Sequence, residues 1–150
     1  MAYIVRFATT VADRAAAYEL RRAVFEVEQN VPRPLDRDSF DDNADHVVAI
    51  DEAGRCIGTG RIIRLDTRTA QVGRMAVAAD RRCTGVGGAM LEALERMVAL
   101  RGLGELIVHS QLPAEAFHRN RGFVTVGAPF AEQGVLHVLM RKRIARERAA

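Results

Sequence analysis

The chain has 150 residues, of which 49% are hydrophobic and 27% charged. That is enough for one real core and too little for two, so a single domain over residues 1–150 is expected. Its formal charge of +3 is mild, with acids and bases interleaved, which argues against a nucleic-acid partner. Cys56 and Cys83 sit in unrelated contexts and offer neither a disulfide framework nor a metal-knuckle pattern. No apolar run approaches the roughly 20 residues of a bilayer span, and the first residues lack a signal-peptide build. The expectation is a soluble, cytoplasmic domain without membrane contact, ending in a basic tail from about residue 143 that holds Arg143, Arg146 and Arg148.

Residues 4–8 read as a first strand. Thr10 is placed to cap a helix, with Asp13 three residues on as a reduced capping box. Ala16, Leu20, Val24 and Val27 then give that helix one apolar stripe. Pro32 and Pro34 bar its continuation, and Asp36, Asp38, Asp41, Asp42 and Asp45 make the following loop acidic. A solvated loop is the plain reading of these acids, and a lure for a cationic substrate the functional one.

Two strands follow over 47–50 and 56–65, joined by the turn Glu52-Ala53-Gly54, and a third covers 70–77. Met90, Leu91, Leu94, Met97 and Val98 mark an amphipathic helix that Gly102 can stop. A short strand at 106–109, a helix from Pro113 to Arg119 and strands at 123–126 and 135–140 complete the chain. The order is strand, helix, three strands, helix, strand, helix, two strands. An α+β (α/β three-layer) domain with a mixed, mostly antiparallel sheet flanked by helices accounts for it.

The segment Arg82-Cys83-Thr84-Gly85-Val86-Gly87-Gly88 lies between the strand ending at Val77 and the long helix. Glycine admits positive φ and a close backbone approach, and a helix N-terminus presents unpaired N–H groups with about half a positive charge. Together they suit a phosphate or pyrophosphate, to which Arg81 or Arg82 can add formal charge. A tight turn that binds nothing fits the glycines alone equally well. The two common nucleotide motifs are absent: six residues counted from Gly85 end on Met90, not glycine, and the single lysine is Lys142.

Arg82-x-x-Gly85-x-Gly87 fits, without a gap, the R/Q-x-x-G-x-G/A motif of the GNAT superfamily of acyl-CoA-dependent N-acetyltransferases, which this sequence resembles. Leu20-Arg21-x-x-Val24-Phe25-x-x-Glu28-Gln29, Asp45-His46-Val47-Val48-Ala49 and Gly134-x-x-His137-Val138-x-Met140 are similar to its ElaA/YjcF-type subgroup. Phe117-x-x-x-x-Gly122-Phe123 matches a second family motif, F-Y-x-x-x-G-F, except that His118 stands where tyrosine is common.

The resemblance implies transfer of an acetyl group from acetyl-CoA to the amine of a small molecule or peptide by direct attack. A catalytically idle acyl-CoA-binding or sensor module of the same fold is the alternative. It implies coenzyme contacts from Met75, Ala76 and Val77 on one strand and from Arg82, Cys83, Thr84, Gly85, Val86, Gly87 and Gly88 in the loop. Gln111 and Phe117 join them. It implies no metal, and it allows a homodimer. For proton transfer it points to His118, as a replacement for the tyrosine acid, and to Glu28 and His46 near the acceptor. An unperturbed imidazole is only about a quarter protonated at pH 7, so His118 serves as an acid only if a neighbouring carboxylate raises its pKa. Each of these residues also has a plain reading: Glu28 as a surface acid, His46 as a strand-start residue and His118 as a spacer. His109, ending its strand beside the position the family gives the acetyl group, is a further candidate base whose plain reading is a satisfied core histidine, and His137 is left without a role. Cys83, beside Arg82 and a helix N-terminus, is a candidate reactive thiol or a bystander.

Overall fold

The computed structural model describes residues 2–32 and 37–145, so Pro34 and Asp36 of the acidic loop and Arg146 and Arg148 of the tail lie outside the described residues. Along the chain come β1 (Tyr3–Phe7), α1 (Val11–Arg21) with a π-helical continuation (Arg22–Glu28), β2 (Asp45–Asp51), β3 (Cys56–Arg64) and β4 (Thr69–Val77). Then follow α2 (Val86–Leu100), β5 (Glu105–Gln111), α3 (Glu115–Arg119), β6 (Val124–Glu132) and β7 (Val135–Arg143). This is the order expected from the sequence. The strands form one mixed sheet in the order β1-β2-β3-β4-β5-β7-β6, in which β4 and β5 pair in parallel.

The described residues divide into two compact units, one running to Ile63 and adding Arg74–Leu94, the other comprising Arg64–Gly73 and the residues from Glu95 onward. In the first unit β1 pairs with β2 from Tyr3↔Asp51 to Phe7↔Val47, and β2 with β3 from Asp45↔Ile62 onward. Ala17 of α1, fully buried, packs with Ala8 and Val48. Thr10 caps α1 as expected, its Oγ1 accepting from the Asp13 N–H at 3.1 Å. The reciprocal half of a capping box is missing because the Asp13 carboxylate pairs with Arg6 instead, at 2.9 Å.

Past Arg21 the helix widens. Gln29 N–H donates to the Val24 carbonyl, five residues back, rather than four. The extra residue per turn rotates the end of the expected stripe: Val24 is buried but Val27 is 69% exposed.

On the other face of the sheet, α2 rests on two glycines of β3. A Cβ at Gly58 would lie 2.8 Å from both Val86 Cγ1 and Met90 Sδ, and one at Gly60 3.3 Å from Met75 Cγ and 3.4 Å from Leu94 Cδ1. Glycine is therefore required for α2 to lie this close to β3, and this contact fixes where the first turn of α2 begins.

In the second unit β5 runs parallel to β4 from Thr69↔Glu105 to Val72↔Val108 and antiparallel to β7 from Glu105↔Arg143 to Gln111↔His137. Buried Leu106, Val108, Phe123, Val138 and Met140 form its core. Strand β6 extends well beyond the expected 123–126, interrupted by a register shift between Val126 and Phe130 where Gly127 takes φ 79°. Lys142 is structural: its ammonium donates to both carboxylate oxygens of Glu95 (2.9 and 3.1 Å) and to the Arg121 carbonyl (2.7 Å). Among the described residues no helix is long and apolar enough to cross a membrane.

Candidate functional site

The chain leaves β4 at Val77, makes a single 3₁₀ turn over Ala79–Arg81, and enters α2 at Val86. Between them Cys83 and Gly85 both take left-handed backbone, at φ 62° and φ 93°. The sequence anticipated this at Gly85 but not at Cys83. Arg82, Cys83, Thr84 and Gly85 are all exposed, while Val86 turns inward against Gly58. At Gly85 there is space: the nearest atom to a Cβ there would be Tyr3 Oη, at 4.0 Å. Thr84 Oγ1 donates to the Arg81 carbonyl and braces the turn. Ala89 N–H donates to the Gly85 carbonyl in the first turn of α2, and the N–H groups ahead of it are those that a helix start leaves without an intrahelical acceptor.

Both arginines of the bend are engaged. Arg81 donates to Asp51 at 3.1 Å. Arg82 donates through Nε to the Val77 carbonyl at 3.1 Å and through its terminal nitrogen to Glu28 at 2.9 Å. The structure thus brings together Arg82 and Glu28, which the sequence placed in different roles. Asp51 also accepts from the Ala53 and Arg55 N–H groups, which ties the β2–β3 turn to the bend.

Strand β4 carries an irregularity that the sequence did not show. Arg74 has φ 51°, inside a strand and without the licence of glycine. Such a conformation costs an ordinary residue roughly 1–2 kcal/mol and persists only where its surroundings hold it. It immediately precedes Met75, Ala76 and Val77. Met75 lies against Gly60, Ala76 is buried and Val77 is half-buried.

The acidic loop is not simply solvated. Asp41 is 2% exposed and binds Arg21, itself fully buried, through two contacts of 2.7 and 3.1 Å. Arg61 joins Asp41 at 2.9 Å and grips Asp38 at 2.7 and 3.0 Å, and Arg74 reaches Asp38 at 3.2 Å. Burial by itself would raise the Asp41 pKa, but the guanidiniums of Arg21 and Arg61 outweigh it and hold the carboxyl at about 2. Asp38 is lowered likewise, burial being outweighed by Arg61 and then Arg74. These two acids are internal anchors, not bait for a cation. No spacing in the sequence links residues 21, 38, 41, 61 and 74, so only the fold could assemble them.

His46 belongs to the same assembly. Its Nε2–H donates to the Asp41 carbonyl at 2.9 Å, its ring meets Tyr18 edge-on at 5.6 Å, and its Nδ1 is buried without a partner. Burial pushes its pKa below the ordinary value, with Arg21 and Arg14 adding to the effect against the Asp41 contacts.

In the second unit His118, in α3, is 6% exposed. Its Nδ1 lies 3.0 Å from Ser110 Oγ and 3.1 Å from the Ala114 carbonyl. A carbonyl only accepts, so the proton sits on Nδ1 and leaves a lone pair on Nε2, which is buried without a partner. Burial lowers the His118 pKa; the Ala114 contact opposes that and Arg121 reinforces it. The groups bonded to the ring include no carboxylate, so the condition for an acid is unmet and the resting ring is neutral. Phe117 meets it edge-on at 5.0 Å and itself carries Arg121 at 4.4 Å. Gln111 ends β5 opposite His137.

His137 Nδ1 donates to the Val135 carbonyl at 2.7 Å, and its ring stacks on Phe130 at 6.0 Å. His109, read as a core histidine, is half-exposed and holds Glu132 at 2.7 Å. Cys83 is exposed, whereas burial pushes the Cys56 thiol up to about 11. Among the described residues no group of three or more histidines, cysteines or acids could hold a metal ion.

The sequence model of the acetyltransferase (GNAT) domain matches residues 8–144. YyaT of Bacillus subtilis is 33% identical over 141 residues, covering 92% of this chain and 94% of that protein. The N-acetyltransferase YjcF of the same organism is 32% identical over 84% of this chain and 89% of its own length. The crystal structure of Escherichia coli ElaA superposes with a TM-score of 0.81 at 24% identity, over 94% and 99% of the two chains. That of an aminoglycoside 6'-N-acetyltransferase complexed with coenzyme A superposes at 0.73 and 15% identity, over 99% and 100%. The chain therefore belongs to the GNAT acetyltransferase family, in its ElaA/YjcF-like subgroup, and is an acyltransferase of that type.

Proposed function

We propose that this protein transfers an acetyl group from acetyl-CoA to the amine of a small molecule or peptide. The observation that carries the reading is the open, exposed bend at 82–85, with two left-handed residues just ahead of the first turn of α2. In this reading the coenzyme's pyrophosphate lies on backbone N–H groups of residues 82–88, which the positive end of α2 favours. Backbone groups of Met75–Val77 polarise the thioester carbonyl as its oxygen gains charge. The amine nitrogen bonds the carbonyl carbon, the carbon–sulfur bond breaks, and the electron pair leaves on the coenzyme thiolate.

Of the three side chains considered for proton transfer, Glu28 alone is exposed. It takes the ammonium proton in this reading. His46 and His118 have their lone-pair nitrogens shut off from solvent, and both rings are held neutral. The thiolate accordingly departs without an imidazolium donor, and a thiol's ordinary acidity makes that tolerable.

A neutral His118 also favours a second reading, in which the same fold holds an acyl-CoA without transferring it. Titration calorimetry with acetyl-CoA tests both: saturable binding is expected, and no heat at high micromolar ligand overturns them together. Thiol release from acetyl-CoA across a panel of amines then separates transfer from mere holding.

A further inference from the structure

We propose that Arg74 and Asp38 are positioning residues for the acetyl group: their ion pair holds the left-handed kink that aims the backbone of Met75–Val77. The inference rests on the function proposed above. The kink lies inside β4, one residue before the segment assigned to the thioester, and two residues after the last parallel pair, Val72↔Val108. An arginine at φ 51° needs an external hold, and Asp38 supplies one at 3.2 Å. Asp38 is itself immobilised by two bonds from Arg61, whose guanidinium is fixed in turn by Asp41 and, through it, Arg21. The kink is thus tied to the end of α1 through a run of ion pairs, part-buried at Arg74 and Asp38 and buried at Asp41 and Arg21.

A hydrogen-bond donor for an oxyanion works only when its direction is set before the charge develops. A residue that fixes the φ of the preceding position sets that direction without touching the substrate. Arg74 and Asp38 act in this way, and the arginine side chain is the strap.

The test uses acetyl-CoA labelled with carbon-13 at its carbonyl, bound to the whole protein, with isotope-edited infrared spectroscopy reporting the carbonyl stretch. Calorimetry reports affinity. The wild-type protein lowers the stretch relative to free acetyl-CoA. In Arg74→Ala the stretch returns toward the free value, while affinity, carried by the bend at 82–88, stays close to wild type. Arg74→Gly, free to adopt positive φ, keeps more of the lowering than Arg74→Ala. Asp38→Asn behaves like Arg74→Ala, and circular dichroism of each variant verifies the fold. Turnover with the amine panel falls by about tenfold or more in Arg74→Ala. An unchanged stretch in Arg74→Ala, equal loss in the alanine and glycine variants, or no lowering in the wild type overturns the inference while leaving coenzyme binding intact. Absence of wild-type binding overturns the proposed function instead.

Discussion

Arg21 and Asp41 stand 20 residues apart and meet in a two-point ion pair, with side chains 1% and 3% exposed. Removing one partner of such a pair strands the other without water, which costs about 3–5 kcal/mol. Asp41→Asn takes the two-point carboxylate from Arg21 and one of the carboxylate contacts of Arg61, so the unfolding free energy read from urea should fall by that order with an unchanged slope. A loss below about 1 kcal/mol would show that water reaches the site.

Gly58 and Met90 define how closely α2 approaches the sheet. A methyl at Gly58 would overlap Met90 Sδ and Val86 Cγ1, both at 2.8 Å. Met90 can yield, whereas Val86 is β-branched and held at the start of the helix. Gly58→Ala should therefore cost about 1–3 kcal/mol. Because the strain falls on the first turn of α2, it should also weaken acetyl-CoA binding. Thermal melts with and without acetyl-CoA read both effects.

His46 and His118 give the protein an acid-sensitive stability. Both have folded-state pKa values below the unfolded value of about 6.5. Between those values the unfolded chain binds more protons, so stability is fully present above pH 6.5 and is lost as pH falls toward the folded values. Asp41 adds a second, separate loss from about 3.8 down to its folded value of about 2. Chemical unfolding from pH 8 to pH 4 should show the first decline, and His118→Gln should flatten part of it. An equal slope in the variant would mean that His118 is not held neutral.

Arg82 and Glu28 pair at the edge of the bend with side chains 43% and 38% exposed. At that exposure the pair is worth at most about 1 kcal/mol to the fold. Glu28→Gln should accordingly leave the melting temperature nearly unchanged and free Arg82 for the pyrophosphate, tightening acetyl-CoA binding. If Glu28 also accepts the amine's proton, turnover falls even as coenzyme binding tightens. Unaltered turnover across pH removes it from proton transfer.

Much of this protein was legible in the chain because the signals were local. Apolar spacing gave the element order, Thr10 its cap, and the spacing of Arg82, Gly85 and Gly87 both the exposed bend and the family. The paired glycines of β3 are a close approach that shows only once Val86, Met90 and Leu94 lie against them. Tertiary structure decided what depends on residues distant in sequence. It turned Asp38 and Asp41 from a solvated acidic loop into ion-paired anchors, Asp41 buried and Asp38 half-buried, and it made Arg74 bend backward within a strand. It also placed His118 among Ser110, Ala114 and the phenylalanines, where burial keeps it neutral. A sequence shows which side chains carry charge or a titratable ring. Only packing fixes how much water remains around them and which opposite charge lies within 3 Å, and those two quantities set their chemistry.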